Sequence, residues 1–153
     1  SNNKTILTVT GSDSTSGSRV QADIKMISSL GGYAVSAITS ITMQNTIGIQ
    51  DFYDIPSEIV SGQIEAIVND VQPQVVKVGM LRRCDTLDCV ASALRRYSPS
   101  MVIYDPVTQK ATQLPGQLWL AKQRVVQEGL INLSAPSMHA CHYKEKQCRI
   151  SAW

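Results

Sequence analysis

The sequence predicts an α/β domain: a mostly parallel sheet flanked by helices. Three observations carry this. Short runs rich in β-branched residues recur at 4–10, 33–42, 75–78 and 101–104. Segments with apolar residues at helical spacing lie between them. Each strand-like run ends in small or polar residues, where open α/β sheets bind their ligands. Composition agrees. Hydrophobic residues are 43% of the chain, enough for a real core and too many for a disordered segment. A length of 153 residues suits one domain. A net charge of +2 and a pI near 8.4 are too mild for a nucleic-acid binder. No apolar run approaches the ~20 residues of a membrane span, and no basic start precedes an apolar core. A soluble cytoplasmic protein with no membrane partner is the expectation.

The elements follow in order. Residues 4–10 (KTILTVT) form a strand that ends at Gly11. Residues 11–18 (GSDSTSGS) are a loop of small and polar residues. Val20, Ile24, Ile27 and Leu30 make one helical stripe, closed by Gly31 and Gly32. A second strand, 33–42, leads into the polar stretch MQNT. Pro56 and Ser57 open a second helix, with Ile59, Val60, Ile64, Ile67, Val68 and Val71 apolar and Pro73 beyond its end. Val75, Val76 and Val78 make a short strand before Gly79. Asp85 suits the cap of a third helix, in which Leu87, Val90, Ala91 and Leu94 face inward. A fourth strand, 101–104, stops at Asp105 and Pro106.

Several residues at these strand ends have chemistry to offer. The 11–18 loop suits an anion, since backbone N–H groups and a helix start lie close, but neither GxGxxG nor GxxxxGK[ST] is present. Asp23 reads either as an acid suited to the helix dipole or as a carboxylate aimed at a substrate hydroxyl. Gln44 offers an acceptor beside a donor, the complement of an aminopyrimidine edge; a surface amide is the plain alternative. Met80 is a core residue or an apolar wall beneath a flat ring. Asp105 is a turn former or a carboxylate near a metal and a phosphate. Cys84 and Cys89 have no zinc spacing and read as buried thiols.

Four segments together carry a specific resemblance. TGSDSTSGSRVQADIK (10–25), ITMQNTIGIQ (41–50), VKVGML (76–81) and YDPV (104–107) resemble the hydroxymethylpyrimidine/phosphomethylpyrimidine kinases of thiamine biosynthesis. These are a branch of the ribokinase-like superfamily, which also holds the pyridoxal kinases. The likeness runs in register from about Thr5 to Val107. It implies a three-layer ribokinase-like fold and an ATP- and Mg²⁺-dependent kinase. The substrate would be 4-amino-5-hydroxymethyl-2-methylpyrimidine and then its monophosphate. It further implies that Asp23 and Gln44 contact the pyrimidine and its hydroxymethyl arm. Gly11, Met80 and Val107 would line the pocket, and Asp105 would lie near the phosphates and metal. Family members are commonly homodimers.

Two departures stand out. Where Ser16 to Arg19 stand, the family prefers small residues, often Gly-Ala-Gly. Arg19 there reads as a phosphate contact, a crowding side chain or a solvated helix-start residue. The larger departure follows Val107. Residues 1–106 carry a net charge of −2 and residues 107–153 a net of +4. Both Trp and both His lie in the second stretch. Gly116 and Gly129 are its only glycines, too few for the Gly-rich anion hole that carries the family's catalytic Asp or Cys. The expectation is therefore a kinase portion at 1–107 and a divergent tail at 108–153. The fold would be truncated, with no catalytic residue assignable. The tail reads as a genuine ending or an altered reading frame, and the composition shift favours the second. A weak helix is expected over 114–126. His139, Cys141, His142 and Cys148 do not have a standard zinc spacing. Three function classes stay open: a pyrimidine kinase, with a pyridoxal-type kinase as runner-up; a relative that binds pyrimidine without turnover; and a structural fragment.

Overall fold

The computed structural model describes residues 4–79, 81–104, 138–144 and 147–152, with backbone only for 84, 104 and the last two segments. Within them the chain runs β1 (Thr5–Ser12), α1 (Arg19–Ser29), β2 (Tyr33–Gln44), β3 (Ile49–Asp54) and α2 (Ser57–Val71). Then follow β4 (Val75–Val78), α3 (Cys84–Tyr97), β5 (Met101–Tyr104), β6 (Met138–Lys144) and β7 (Gln147–Ala152). One seven-stranded sheet has the order β3-β2-β1-β4-β5-β6-β7. The five inner strands are parallel, and β3 and β7 pair antiparallel at the two edges. The predicted α/β sheet with flanking helices is what the chain forms.

Strand alternation divides the two faces. On β1, Leu7 and Val9 are buried on one face, beside Val76 and Val78 of β4. α2 and α3 cover this face with Val60, Ile64, Leu87, Val90, Ala91 and Leu94, and all belong to one apolar cluster. On the other face Thr8 and Thr10 are buried, and α1 packs there. Its own apolar contribution is small: only Val20 and Ile27 are buried in α1. The helices end where sequence chemistry allows. Gly31 takes a φ of 82° after α1. Gln72 and Ser98 adopt left-handed conformations after α2 and α3, and the Ser98 N–H closes on the Leu94 carbonyl.

Three features differ from the sequence reading. The polar MQNT stretch ends β2 with Met43 and Gln44 and then enters the turn of a hairpin into β3. The Asn45 side-chain oxygen accepts from the Ile47 and Gly48 amides and fixes that turn. Arg83, not Asp85, occupies the cap position of α3. Asp85 sits inside the first turn, where its carboxylate takes the Arg83 guanidinium and the Thr86 amide. Residues 138–144 and 147–152 also supply two strands, β6 and β7, which extend the same sheet beyond β5. The helix expected over 114–126 lies outside the described residues.

β2 is longer than its outer partner. β3 pairs only with Ser40 to Gln44. At Ile38 the exposed backbone edge is met by a side chain instead. The Gln63 amide of α2 accepts from the Ile38 N–H at 2.8 Å and donates to the Ile38 carbonyl at 3.0 Å. One amide thus stands in for a strand residue and blunts the edge.

Candidate functional site

The candidate site begins at the carboxyl ends of β1, β2 and β4, between the sheet and the start of α1. Two glycines make its floor. A Cβ on Gly79 would lie 2.7 Å from the Thr10 Cβ, and one on Gly11 would lie 2.6 Å from the Ser40 Oγ. Both glycines are buried, and their lack of a Cβ lets the strand ends pack closely against Ser40 and Thr10.

The 11–18 loop is organised by Asp13, which is 1% exposed. One carboxylate oxygen accepts from the Thr15 amide and hydroxyl, at 2.9 and 2.7 Å. The other accepts from the Ser18 amide and hydroxyl, at 2.9 and 2.7 Å. Burial works against the charge, but the Ser18 and Thr15 donors outweigh it and hold the Asp13 pKa at about 2. Gln21 adds to the same frame, accepting from the Asp13 amide and donating to the Ser12 hydroxyl. The sequence reading overlooks Asp13, although Asp-Ser-Thr is a recognisable turn signature.

Asp23 is not a first-turn acid: α1 has none, and Asp23 is its fifth residue. Its carboxylate faces the sheet. One oxygen accepts from the Thr8 hydroxyl at 2.6 Å, and the other pairs with the Lys77 ammonium. Thr8 and Lys77 are neighbours across β1 and β4. The side chain therefore sits beneath the strand ends, at the level of Thr8, with its charge partly compensated. Gln44 closes β2 on the same side of the hairpin. Its carbonyl accepts from the Ser14 hydroxyl, and its side-chain oxygen stands 3.5 Å from the Thr42 hydroxyl, at the limit of a hydrogen bond. Ser14 thus ties the first loop to the end of β2.

Arg19 is half-buried, with its Nη1 shut away from solvent. It takes a φ of 60°, a conformation suited to glycine. Its stem folds over Gly11, with Cδ 3.6 Å from the point a Gly11 Cβ would occupy. Its guanidinium carbon lies 5.3 Å from the centre of the Phe52 ring. Arg82 lies 3.6 Å from the same centre. Arg82 also pairs with Asp54 at 2.9 Å. Burial lowers the Arg19 pKa; the Asp13 carboxylate opposes this and the Arg82 charge reinforces it. Phe52 and Arg82 escape the sequence reading because their contact joins β3 to the segment after β4, and no local pattern marks such a pair.

The structure thus brings Gly11, Gln44, Arg19 and the Asp13 loop together, with Asp23 set below them. Met80, Asp105 and Val107 lie outside the described residues, and so do the side chains of His139, Cys141, His142 and Cys148. Cys89 is a free, half-buried thiol whose Sγ lies 3.2 Å from the Thr86 carbonyl. Among the described residues no cluster of three His, Cys, Asp or Glu is placed to hold a metal ion. Nor, among them, is any helix long and apolar enough to cross a membrane.

The model of the phosphomethylpyrimidine kinase family matches residues 13–125. The chain belongs to the phosphomethylpyrimidine kinase family. A hydroxymethylpyrimidine/phosphomethylpyrimidine kinase of Rhizobium meliloti is 45% identical over 101 residues, covering 66% of this chain and 38% of the relative. One from Haemophilus influenzae is 41% identical over 107 residues, covering 70% of this chain and 40% of the relative. The chain therefore spans about two fifths of the length of these relatives. A crystal structure of phosphomethylpyrimidine kinase from Clostridium difficile superposes with a TM-score of 0.73 at 25% identity. It covers 97% of this chain and 79% of the other. Pyridoxal kinase from Staphylococcus aureus in complex with ADP superposes with a TM-score of 0.72 at 22% identity, over 90% of this chain and 48% of the other. The fold is ribokinase-like, and the family is one of kinases acting on small molecules.

Proposed function

We propose that this chain carries the substrate-binding part of an ATP- and Mg²⁺-dependent kinase of thiamine biosynthesis. Its substrates are 4-amino-5-hydroxymethyl-2-methylpyrimidine and the corresponding monophosphate, the compounds after which its relatives are named. The observation that carries the reading is Gln44 at the end of β2, tied through Ser14 to the 11–18 loop, in a member of this kinase family. An amide there pairs side by side with a ring nitrogen and its neighbouring amino group. Gly11 lines the pocket with its backbone, beside the Ser40 hydroxyl. Asp23 accepts from the hydroxymethyl arm with lone pairs beyond those used by Thr8 and Lys77. Met80 and Val107 line the ring, and Asp105 stands near the transferred phosphate and its metal.

ATP supplies the phosphoryl group in this reading, and Mg²⁺ neutralises charge on it. Among the described residues no cluster of three His, Cys, Asp or Glu is placed to hold the metal. What these residues do is position: phosphoryl transfer depends chiefly on placing the acceptor oxygen and stabilising charge. A homodimer is part of the same reading. Ile41 and Tyr53 face each other across the hairpin, both exposed, and Met43 is exposed beside them.

Calorimetric titration of the pyrimidine alcohol tests the reading directly. Saturable binding that weakens by about tenfold in Gln44→Ala is expected, since losing one buried hydrogen bond costs on the order of 1–3 kcal/mol. Absence of binding, or binding indifferent to Gln44→Ala, overturns it. ATP-dependent product formation by the same chain then separates a kinase from a relative that binds the pyrimidine without turnover.

A further inference from the structure

The strand-end crevice has an unusual wall on its β3 side. Two guanidinium groups, Arg19 and Arg82, lie against one aromatic ring, Phe52. Stacking on a ring satisfies a cation's face but none of its N–H donors. Arg19 Nη1 is buried and has no hydrogen-bond partner, and the same holds for Arg82 Nη1. The Ser40 hydroxyl is a third case: Ser40 is 1% exposed and its Oγ has no partner. Ser40 and Arg19 meet at one point, and Arg82 joins Arg19 across the Phe52 ring. Ser40 Oγ and the Arg19 stem both border the point where Gly11 lacks a side chain.

The existing counter-charges do not use these donors. Both Asp13 oxygens are occupied by Thr15 and Ser18. Asp54 lies against Arg82 Nε, not Nη1. Buried donors without acceptors are costly, and so are two cations side by side. One group relieves both costs: a compact anion with several acceptor oxygens, which a guanidinium fork matches two at a time.

We propose that Arg19, Arg82 and Ser40 form an anion subsite beside the Gly11 floor, stacked on Phe52, that takes the phosphate of a phosphomonoester. The subsite deepens the pyrimidine reading and rests on it only for the identity of the ester. In that reading it favours the phosphorylated pyrimidine over the free alcohol. The chain's departure from small residues at 16–19 then has a use. Arg19 accepts a strained backbone conformation and delivers a cation to the pocket wall.

The test uses the 153-residue chain. Inorganic phosphate is titrated while arginine Nε–Hε NMR signals are followed. Saturable shifts at Arg19 and Arg82 are expected, with affinity at least about tenfold weaker in Arg19→Gly. Glycine suits a φ of 60°, so this variant removes the charge without straining the fold. Arg82→Lys, which keeps the charge but loses the fork, is expected to weaken binding less. No saturable shift, or equal affinity in Arg19→Gly, overturns the subsite. A second arm compares the pyrimidine alcohol with its monophosphate. Tighter binding of the monophosphate that disappears in Arg19→Gly supports the subsite. Equal binding of the two overturns it and leaves pyrimidine recognition intact. Phosphate binding without binding of either pyrimidine supports the subsite and overturns the substrate reading.

Discussion

The two faces of the sheet are built on different principles. The face under α2 and α3 is apolar and continuous, from Leu7 and Val9 through Val76 and Val78 to Leu87 and Leu94. The face under α1 holds Thr8, Thr10 and Lys77, and Thr8 and Lys77 both bond to Asp23 of α1. Burial of apolar area stabilises the first face without requiring any one geometry. The second must satisfy every donor and acceptor, and it does so for Asp13 and not for Arg19 or Ser40. Stability is concentrated on one side of β1 and recognition chemistry on the other, and the division passes through alternate residues of a single strand.

The largest way to break this contrast is on the apolar face. Leu87 is 2% exposed, and Leu87→Ala should cost about 2–5 kcal/mol in denaturant unfolding. Ligand affinity per folded molecule should hold. A loss of affinity with little loss of stability would mean the faces are not separate.

Asp13 gives the next effect. Removing its charge leaves the Thr15 and Ser18 donors poorly met, and Asp13→Asn should cost about 1–3 kcal/mol at neutral pH. The sign of the pH dependence follows from the lowered value. An ordinary carboxyl here titrates at 3.8, and the folded one at about 2. The stabilisation is complete above the ordinary value and is lost as pH falls through the folded one. Unfolding measured between those two values should therefore show a slope that Asp13→Asn removes. An unchanged slope would place the acid sensitivity elsewhere.

The smallest effect is at the ion pair. Lys77 is 29% exposed on its side chain, so solvent screens its bond to Asp23. Lys77→Met should cost about 1 kcal/mol, and adding Asp23→Leu should recover part of it, because the second change removes the unpaired charge. A double variant worse than the sum of the singles would show that the pair does more than neutralise itself.

Much of this architecture is legible in the amino-acid sequence. β1, α1, α2, β4 and β5 follow from periodicity and from the glycines and prolines that end them. Gly11 and Gln44 stand at the strand ends where periodicity puts them. β3 is not legible, because Ile49–Asp54 mixes acidic and aromatic residues without one buried face. The β6–β7 pair is hidden because Glu145 and Lys146 between them lack the Asn-Gly chemistry of a tight turn. The Asp85 cap fails because the helix starts two residues earlier, after Arg83. The Phe52 stack depends on contacts across 30 residues and more of chain, which no local pattern encodes.

Gln63 has a mechanical meaning. By gripping the Ile38 backbone it splits β2 into two stretches with different loyalties. The stretch before Ile38 is clutched to α2 and shares its rigidity. The stretch from Ser40 onward is coupled to β3, and so to Gln44 and Phe52. Both stretches stay paired with β1, the second through Ser12 and Ile41, so what changes at Ile38 is the outer partner of the strand, from a side chain to β3. Amide exchange should reveal the boundary as a step between Ile38 and Ser40, sharp in the native chain and blurred in Gln63→Ala.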